Sequence, residues 1–362
     1  MSKRPFFSVI IACYNDGRYK EGVYLDRLLN SICSQFLKKE EIEVVLADDC
    51  SPVPFAEEYI EKYSGFLTMK YIKTDYNFAP GNTREKGVSI ATGEWICFAD
   101  HDDAFVPMSL IKVREALQKT GEQRYLITDF NEVKLDGSTK QKFVGSLNWC
   151  HGKFYNMDNL WKKEDIHFVK DLKSHEDIAI CSQVNCVIQR EQPPHFRHLN
   201  ELVYLWTENP QSLSHVTYID TDAGDGLAHT FLETHFNDYI ESTGYITLDK
   251  FSRGLTSEVY AKVASLEVLC YCYFYMQGFQ WTSGKNYLRC NWEHAARYYK
   301  KMCNTFNWSV DDVVRQVTAN SAAIYWRVRK FSEVATGPRV DSQTFASWIS
   351  KVDEYAKFPA QS

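Results

Sequence analysis

The chain predicts an α/β fold, a doubly wound, mostly parallel sheet followed by a helical C-terminal domain. Three observations predict it. Apolar runs at residues 7–13, 43–47 and 95–99 each break off in polar or acidic residues, the pattern of buried strands that present chemistry at their carboxyl ends. Between the first two runs lies a helical repeat, Leu25, Leu28, Leu29, Ile32 and Phe36, at spacings of three and four. Beyond residue 218 the periodicity is helical throughout.

Taken in order, the first strand runs from Phe7 to Cys13 and ends in Tyr14-Asn15. The second, Glu43 to Ala47, ends in Asp48-Asp49-Cys50-Ser51. Met69 to Lys73 reads as a short strand and Arg84 to Ala91 as a short helix. The apolar run Trp95 to Ala99, bounded by Gly93, leads into Asp100-His101-Asp102-Asp103. These three carboxylates within four residues repel one another unless a cation or hydrogen-bond donors compensate them. Hard divalent cations take oxygen ligands and often bridge carboxylates to phosphates. The cluster therefore reads as a metal–diphosphate site, against the alternative of an acidic turn capping the next helix.

The segments SVIIACYN, VVLADDCS, the TREKG–ATGEW–ICFADHDD block and SHED come in order on the expected elements. Together they resemble the inverting family-2 glycosyltransferases of the nucleotide-sugar-binding A-type fold, over roughly residues 5–215. The resemblance implies a role for each candidate residue. Asp49 would accept the imide N–H of a uracil base, Asp48 would support the turn, and Tyr14 would stack on the ring. Arg84 would contact the nucleotide, although Glu85 stands where an amide is common. Asp100 would face the ribose, and Asp102, with Asp103 as the alternative, would hold manganese or magnesium. In Ser174-His175-Glu176-Asp177 the catalytic base would be Asp177, whose neighbouring carboxylates should raise its pKa. Lys153, in Gly152-Lys153-Phe154-Tyr155, could reach the donor diphosphate. One base and one metal on opposite sides of an anomeric carbon describe direct displacement with inversion; retention needs a second carboxylate as nucleophile, and none is singled out.

What the resemblance implies is transfer of a sugar, from UDP as the expected nucleotide, to a hydroxyl on a glycan or cell-surface polymer. Two rivals differ in class. A non-catalytic sugar- or partner-binding member would be expected to lose the acids that are intact here. A nucleotidyltransferase would open with a glycine-rich basic loop, where this chain has Ala12-Cys13-Tyr14-Asn15.

Composition sets the bounds. With 362 residues, the chain has room for a domain at 1–218 and a helical one at 219–362, joined near the polar stretch 220–226. The helical part is expected to bind acceptor or to pair two subunits. A net charge of −6 gives no general attraction to nucleic acid. Eleven cysteines without a Cys-x-x-Cys pair read as free thiols in a reducing cytoplasm. The apolar stretch 259–276 carries Lys262 and Glu267 and reads as a buried helix, so no membrane span is expected. Ser309 and Asp312 form a capping box ahead of Val310, Val313 and Val317, and Ser342 opens a helix with Phe345, Trp348, Ile349 and Val352 inward. Aromatics are dense between 281 and 308, as core, interface or sugar platform.

Overall fold

A computed structural model describes residues 4–15, 21–77, 79–120, 123–147, 149–170, 172, 174–191, 196–209, 237–283, 288–320 and 342–357. Stretch 220–226 and the side chains of Trp281, Tyr287 and Trp292 lie outside the described set. The chain divides into two compact units. One comprises Met1–Cys181 and Glu191–Asp220, the other Ser182–Arg190 and Thr221–Ser362.

In the first unit β1 (Phe7–Cys13) and β2 (Ile42–Asp48) are buried almost end to end, as continuous apolar runs in a parallel sheet should be. Both pair in parallel, β1 with β2 and with β4 (Trp95–Asp100), and β2 with the half-exposed edge strand β3 (Thr68–Lys73). The sheet then turns mixed. Its order is β3-β2-β1-β4-β8-β6-β9-β5, with β7 (Thr139–Phe143) paired to β6 (Tyr125–Val133). Strand β8 (Lys153–Asn156) runs antiparallel between β4 and β6; β9 (Phe196–Thr207) is parallel to β6, and β5 (Ala104–Phe105) antiparallel to β9. The expected mostly parallel, doubly wound sheet is present, with β8 inserted antiparallel within it and β5 and β7 antiparallel to their neighbours.

Helix α1 (Glu21–Cys33) buries Leu25, Leu28, Leu29 and Ile32 against the sheet. Phe36, read as the fifth member of that stripe, is instead 74% exposed with a φ of 52°. The reason lies one residue earlier. Gln35 donates its amide to the carbonyls of Ser31 and Val106, which ends the helix and turns Phe36 outward. Helix α2 (Ala56–Tyr63) leads to β3.

Helix α3 spans Pro80–Ile90 and so starts four residues before the expected Arg84. Pro80 at its first turn is well suited to a helix start. Its face to the sheet is built of small residues: a Cβ on Gly87 would lie 2.6 Å from Ile10 Cγ2. Close approach, rather than apolar bulk, seats this helix on β1 and β2.

At the amino end of the strands a buried polar knot forms around Glu43. Its carboxylate accepts from Ser8 Oγ at 2.7 Å, from Thr92 N at 2.9 Å and from Thr92 Oγ1 at 2.6 Å, and it pairs with Lys70 at 2.7 Å. Ser8 Oγ also accepts from Gly93 N at 2.8 Å. Burial raises the Glu43 pKa, but these hydrogen bonds outweigh it and leave the carboxyl below its usual range.

Helix α4 (Ser109–Thr120) follows β5, and α5 (Glu176–Arg190) opens on the acidic pair singled out in the sequence. The second unit contains α6 (Ile246–Ser252), α7 (Glu258–Ser283), α8 (Leu288–Phe306), α9 (Val310–Ala319) and α10 (Ser342–Lys357). Its core gathers Leu248, Leu269, Cys272, Tyr298, Met302, Val313, Phe345 and Ile349. The capping box forms as expected, with Asp312 N donating to Ser309 Oγ and Ser309 N to Asp312. Among the described residues no helix is long and apolar enough to cross a membrane.

Candidate active site

The carboxyl ends of β1, β2 and β4 lie side by side, since Ala12 pairs with Ala47 and Asp100, and Cys13 with Asp48. Backbone bonds knit the loops above them: Asp49 N donates to Cys13 O at 2.8 Å, and Asn15 N to Ser51 Oγ at 2.8 Å. Asp48 is occupied within the turn, accepting from Ser51 N at 2.8 Å and from the Tyr71 hydroxyl at 2.6 Å. Asp49, buried, accepts from Thr74 Oγ1 at 3.4 Å. Tyr14 sits half-buried just after β1. These placements put Tyr14 and Asp49 on one rim of the sheet.

Arg84 projects from α3 and is almost wholly buried. Its two terminal nitrogens divide between two acids, Nη2 to Asp100 at 2.5 Å and Nη1 to Glu176 at 2.7 Å. A planar guanidinium can bridge two carboxylates in this way, where a lysine offers a single point charge. Burial raises the Asp100 pKa, but the charges of Arg84 and His151 outweigh it, so the carboxyl sits below its usual range. Gly81 on the same helix lets it approach α5, since a Cβ there would lie 2.9 Å from Glu176 Cβ.

The other two acids of the cluster face β9 and the residues after it. Asp102 accepts from Asn209 Nδ2 at 2.9 Å, and its carbonyl accepts from the Arg27 guanidinium, which also donates to Thr207 Oγ1 at 2.6 Å. Asp103 is fully buried, taking the Tyr204 hydroxyl at 2.6 Å and Thr207 N at 2.7 Å. Burial, then the charges of Asp102 and Asp100, push its pKa well up. The acidic loop is thus carried by β4 on one side and braced by β9 on the other.

A residue not singled out in the sequence joins them. His151, just before β8, is buried between Phe130, Tyr204 and Trp206, its ring stacked on Tyr204 at 5.2 Å between centroids. Its Nδ1 has no hydrogen-bond partner. Ligand atoms of Asp100, Asp103 and His151 lie within 4.8 Å of one another. Burial lowers the His151 pKa to about 4, which leaves the neutral imidazole, the form that binds metals. An orphaned buried nitrogen beside two carboxylates fits a small divalent cation. Asp102 falls outside that trio in this conformation.

Asp177 lies in the first turn of α5, after His175, whose φ of 58° is unusual for a non-glycine residue. That turn delivers Glu176 to Arg84 and leaves Asp177 partly exposed, its Oδ1 accepting from Ile178 N at 2.7 Å. Burial first, then the Glu176 charge, raise Asp177 to about 7, with Arg84 and Lys153 opposing. A carboxylate poised there exchanges a proton near neutrality, as a general base requires. Through Arg84, the Asp100 cluster and the Asp177 turn share one locus.

Residues 8–192 match the family described as Glycosyl transferase family 2. The chain belongs to glycosyltransferase family 2. Within it, one relative is the poly(ribitol-phosphate) beta-N-acetylglucosaminyltransferase TarS of Staphylococcus aureus strain MW2, 32% identical over 184 residues, covering 47% of this chain and 31% of that protein. The amylovoran biosynthesis glycosyltransferase AmsB of Erwinia amylovora is 26% identical over 196 residues, 48% of this chain and 62% of AmsB. The matched stretch of this family-2 chain therefore spans less than a third of the length of TarS. Among solved structures, residues 1–349 of S. aureus TarS in complex with UDP-GlcNAc match with a TM-score of 0.61 at 20% identity, covering 91% of this chain and 93% of that one. At that identity the match establishes the A-type fold, a mostly parallel sheet with flanking helices.

Proposed function

We propose that the protein is a metal-dependent, inverting glycosyltransferase that moves a sugar from UDP to a hydroxyl of a glycan or cell-surface polymer. The observation that carries this reading is the Arg84 bridge between Asp100 and Glu176, which brings the acids of β4 and the base-bearing turn of α5 to one place. Asp49 and Tyr14 hold the base, Arg84 the nucleotide and Asp100 the ribose. Asp102 or Asp103 holds manganese or magnesium, with Asp100 and His151 as the neighbouring donors. When bound, such an ion neutralises charge on the departing diphosphate.

Asp177 does the remaining chemistry. The acceptor hydroxyl gives its proton to the Asp177 carboxylate as its oxygen bonds to the anomeric carbon. The bond from that carbon to the diphosphate oxygen breaks on the opposite face, and configuration inverts. An alcohol is a poor nucleophile until that proton is taken, so the base acts in the transition state.

The TarS relatives, named for N-acetylglucosaminyl transfer to poly(ribitol phosphate), make UDP-N-acetylglucosamine and a polyol-phosphate polymer the first donor and acceptor to try. The described cysteines are thiols, which suits a reducing cytoplasm. The helical unit is assigned to acceptor binding or subunit pairing. Purified protein should hydrolyse or transfer from a UDP-sugar only with Mn2+ or Mg2+ present. No turnover with any of a panel of nucleotide sugars, or turnover undiminished by chelator, refutes the proposal.

A further inference from the structure

Among the described residues of the first unit, one buried charge is left uncompensated by hydrogen bonds. Lys153 is 0% exposed, and its Nζ has no hydrogen-bond partner. A lysine so placed is costly unless something offsets it. Lys153 lies on β8 opposite Ile127 of β6, two residues from Tyr155, and alternation puts the two on one face of the sheet. Tyr155 packs there on Phe98 and Trp161. Asp177 and Cys181, four apart on α5 and so on one side of that helix, are both influenced by the charge of Lys153. Phe168 packs on Phe98 as Tyr155 does, and Phe168 and Glu176 both lie against Gly81, so the first turn of α5 sits on the face of the sheet that carries Lys153. Among the described residues the charged and titratable groups around Asp177 include Glu176 on its own helix, Arg84 on α3, Lys153 and Tyr155 on β8, and Cys150 just before β8. Of these, Arg84 is already committed to Asp100 and Glu176. Among the described residues, Lys153 is the cation left for Asp177.

We propose that Lys153 is a positioning residue that compensates the Asp177 carboxylate from beneath, through the sheet face, and keeps it ionised and aimed at the acceptor. The inference rests on Asp177 being the base of the proposed reaction. Direct contact of Lys153 with donor is disfavoured by its complete burial.

The test compares wild type, K153M, D177N and K153M/D177N in the full chain. Thermal midpoints are measured at pH 6 and pH 8.5, and kcat against pH where turnover is found. Near pH 6 Asp177 is largely protonated and K153M should match or exceed wild type in stability. At pH 8.5 K153M should fall behind by roughly 3–5 °C, the equivalent of about one pKa unit. This pH trend should vanish in the D177N background. The acid limb of kcat should move up by about one pH unit in K153M with nucleotide Kd unchanged. A K153M deficit equal at both pH values, or unaltered by D177N, overturns the proposal and makes Lys153 a packing residue. If K153M does not fold, K153M/D177N decides: folding of the double variant supports the pairing, and its failure overturns it. The stability arm needs no turnover, so a wild type that transfers no sugar would defeat the functional proposal while Lys153 is still judged.

Discussion

Replacing Arg84 with methionine keeps the bulk of its stem and removes the cation that two acids share. Arg84 is 5% exposed at its side chain, Glu176 16% and Asp100 31%. Removing one partner of a fully buried ion pair costs about 3–5 kcal/mol, because the remaining charge is left unpaired. Water reaches part of Asp100, so the lower end applies, about 3 kcal/mol. For a unit of roughly 200 residues that is a fall in thermal midpoint of about 6–12 °C. The sign with pH follows from Asp100, whose folded pKa is depressed. Its contribution is present above the unfolded value near 4 and is lost as pH falls through the folded one. The gap between wild type and R84M should therefore be full at pH 7 and shrink below about pH 4. Differential scanning calorimetry at pH 7 and pH 3.5 reads it. A gap under about 1 °C at pH 7, or one of equal size at both values, would refute the argument that this cation holds two acids together.

Three further outcomes are expected. D177N should abolish transfer and leave nucleotide binding by calorimetry nearly unchanged, while the wild-type rate should rise through an acid limb near pH 7, where Asp177 loses its proton; wild-type turnover by D177N would place the base elsewhere. D102N and H151A should each weaken Mn2+ binding in the presence of UDP by about tenfold or more, and an unchanged titration would remove that residue from the ligand set. G87V should destabilise the first unit by about 1–3 kcal/mol through overpacking against Ile10, and should raise the KM for donor, since α3 carries Arg84; an unchanged KM would separate the helix seat from the site.

Much of this architecture was legible because buried parallel strands write themselves as apolar runs. Those runs located β1, β2 and β4, and their abrupt polar ends located Tyr14, Asp49 and Asp100. Less could be read where small residues rather than apolar ones make the packing. Helix α3 begins at Pro80, and its contact face of Gly81, Thr83 and Gly87 carries no hydrophobic period. His151 was beyond reach for a different reason. It nears Asp100 and Asp103 because β8 returns antiparallel beside β4, a pairing across about sixty residues that no local spacing encodes. The only available hint was the alternation of Tyr204 and Trp206 on β9, whose rings box in the imidazole. Phe36 misled in the opposite direction, because a side chain at helical spacing was turned out by the hydrogen bonds of Gln35.

The Glu43 knot has a mechanical consequence at a distance. A strand is nearly inextensible, and the six residues of β4 carry about 17 Å of rigid backbone from Trp95 to Asp100. Ser8 and Thr92 are clamped to one carboxylate at the amino rim and Gly93 to Ser8 Oγ, so the starting points of neighbouring strands cannot slide past each other. The far tips inherit that alignment, and a one-residue slip there would swing every acid of the loop to the wrong side of the sheet. A glutamate at the amino rim thus sets where the acidic edge stands.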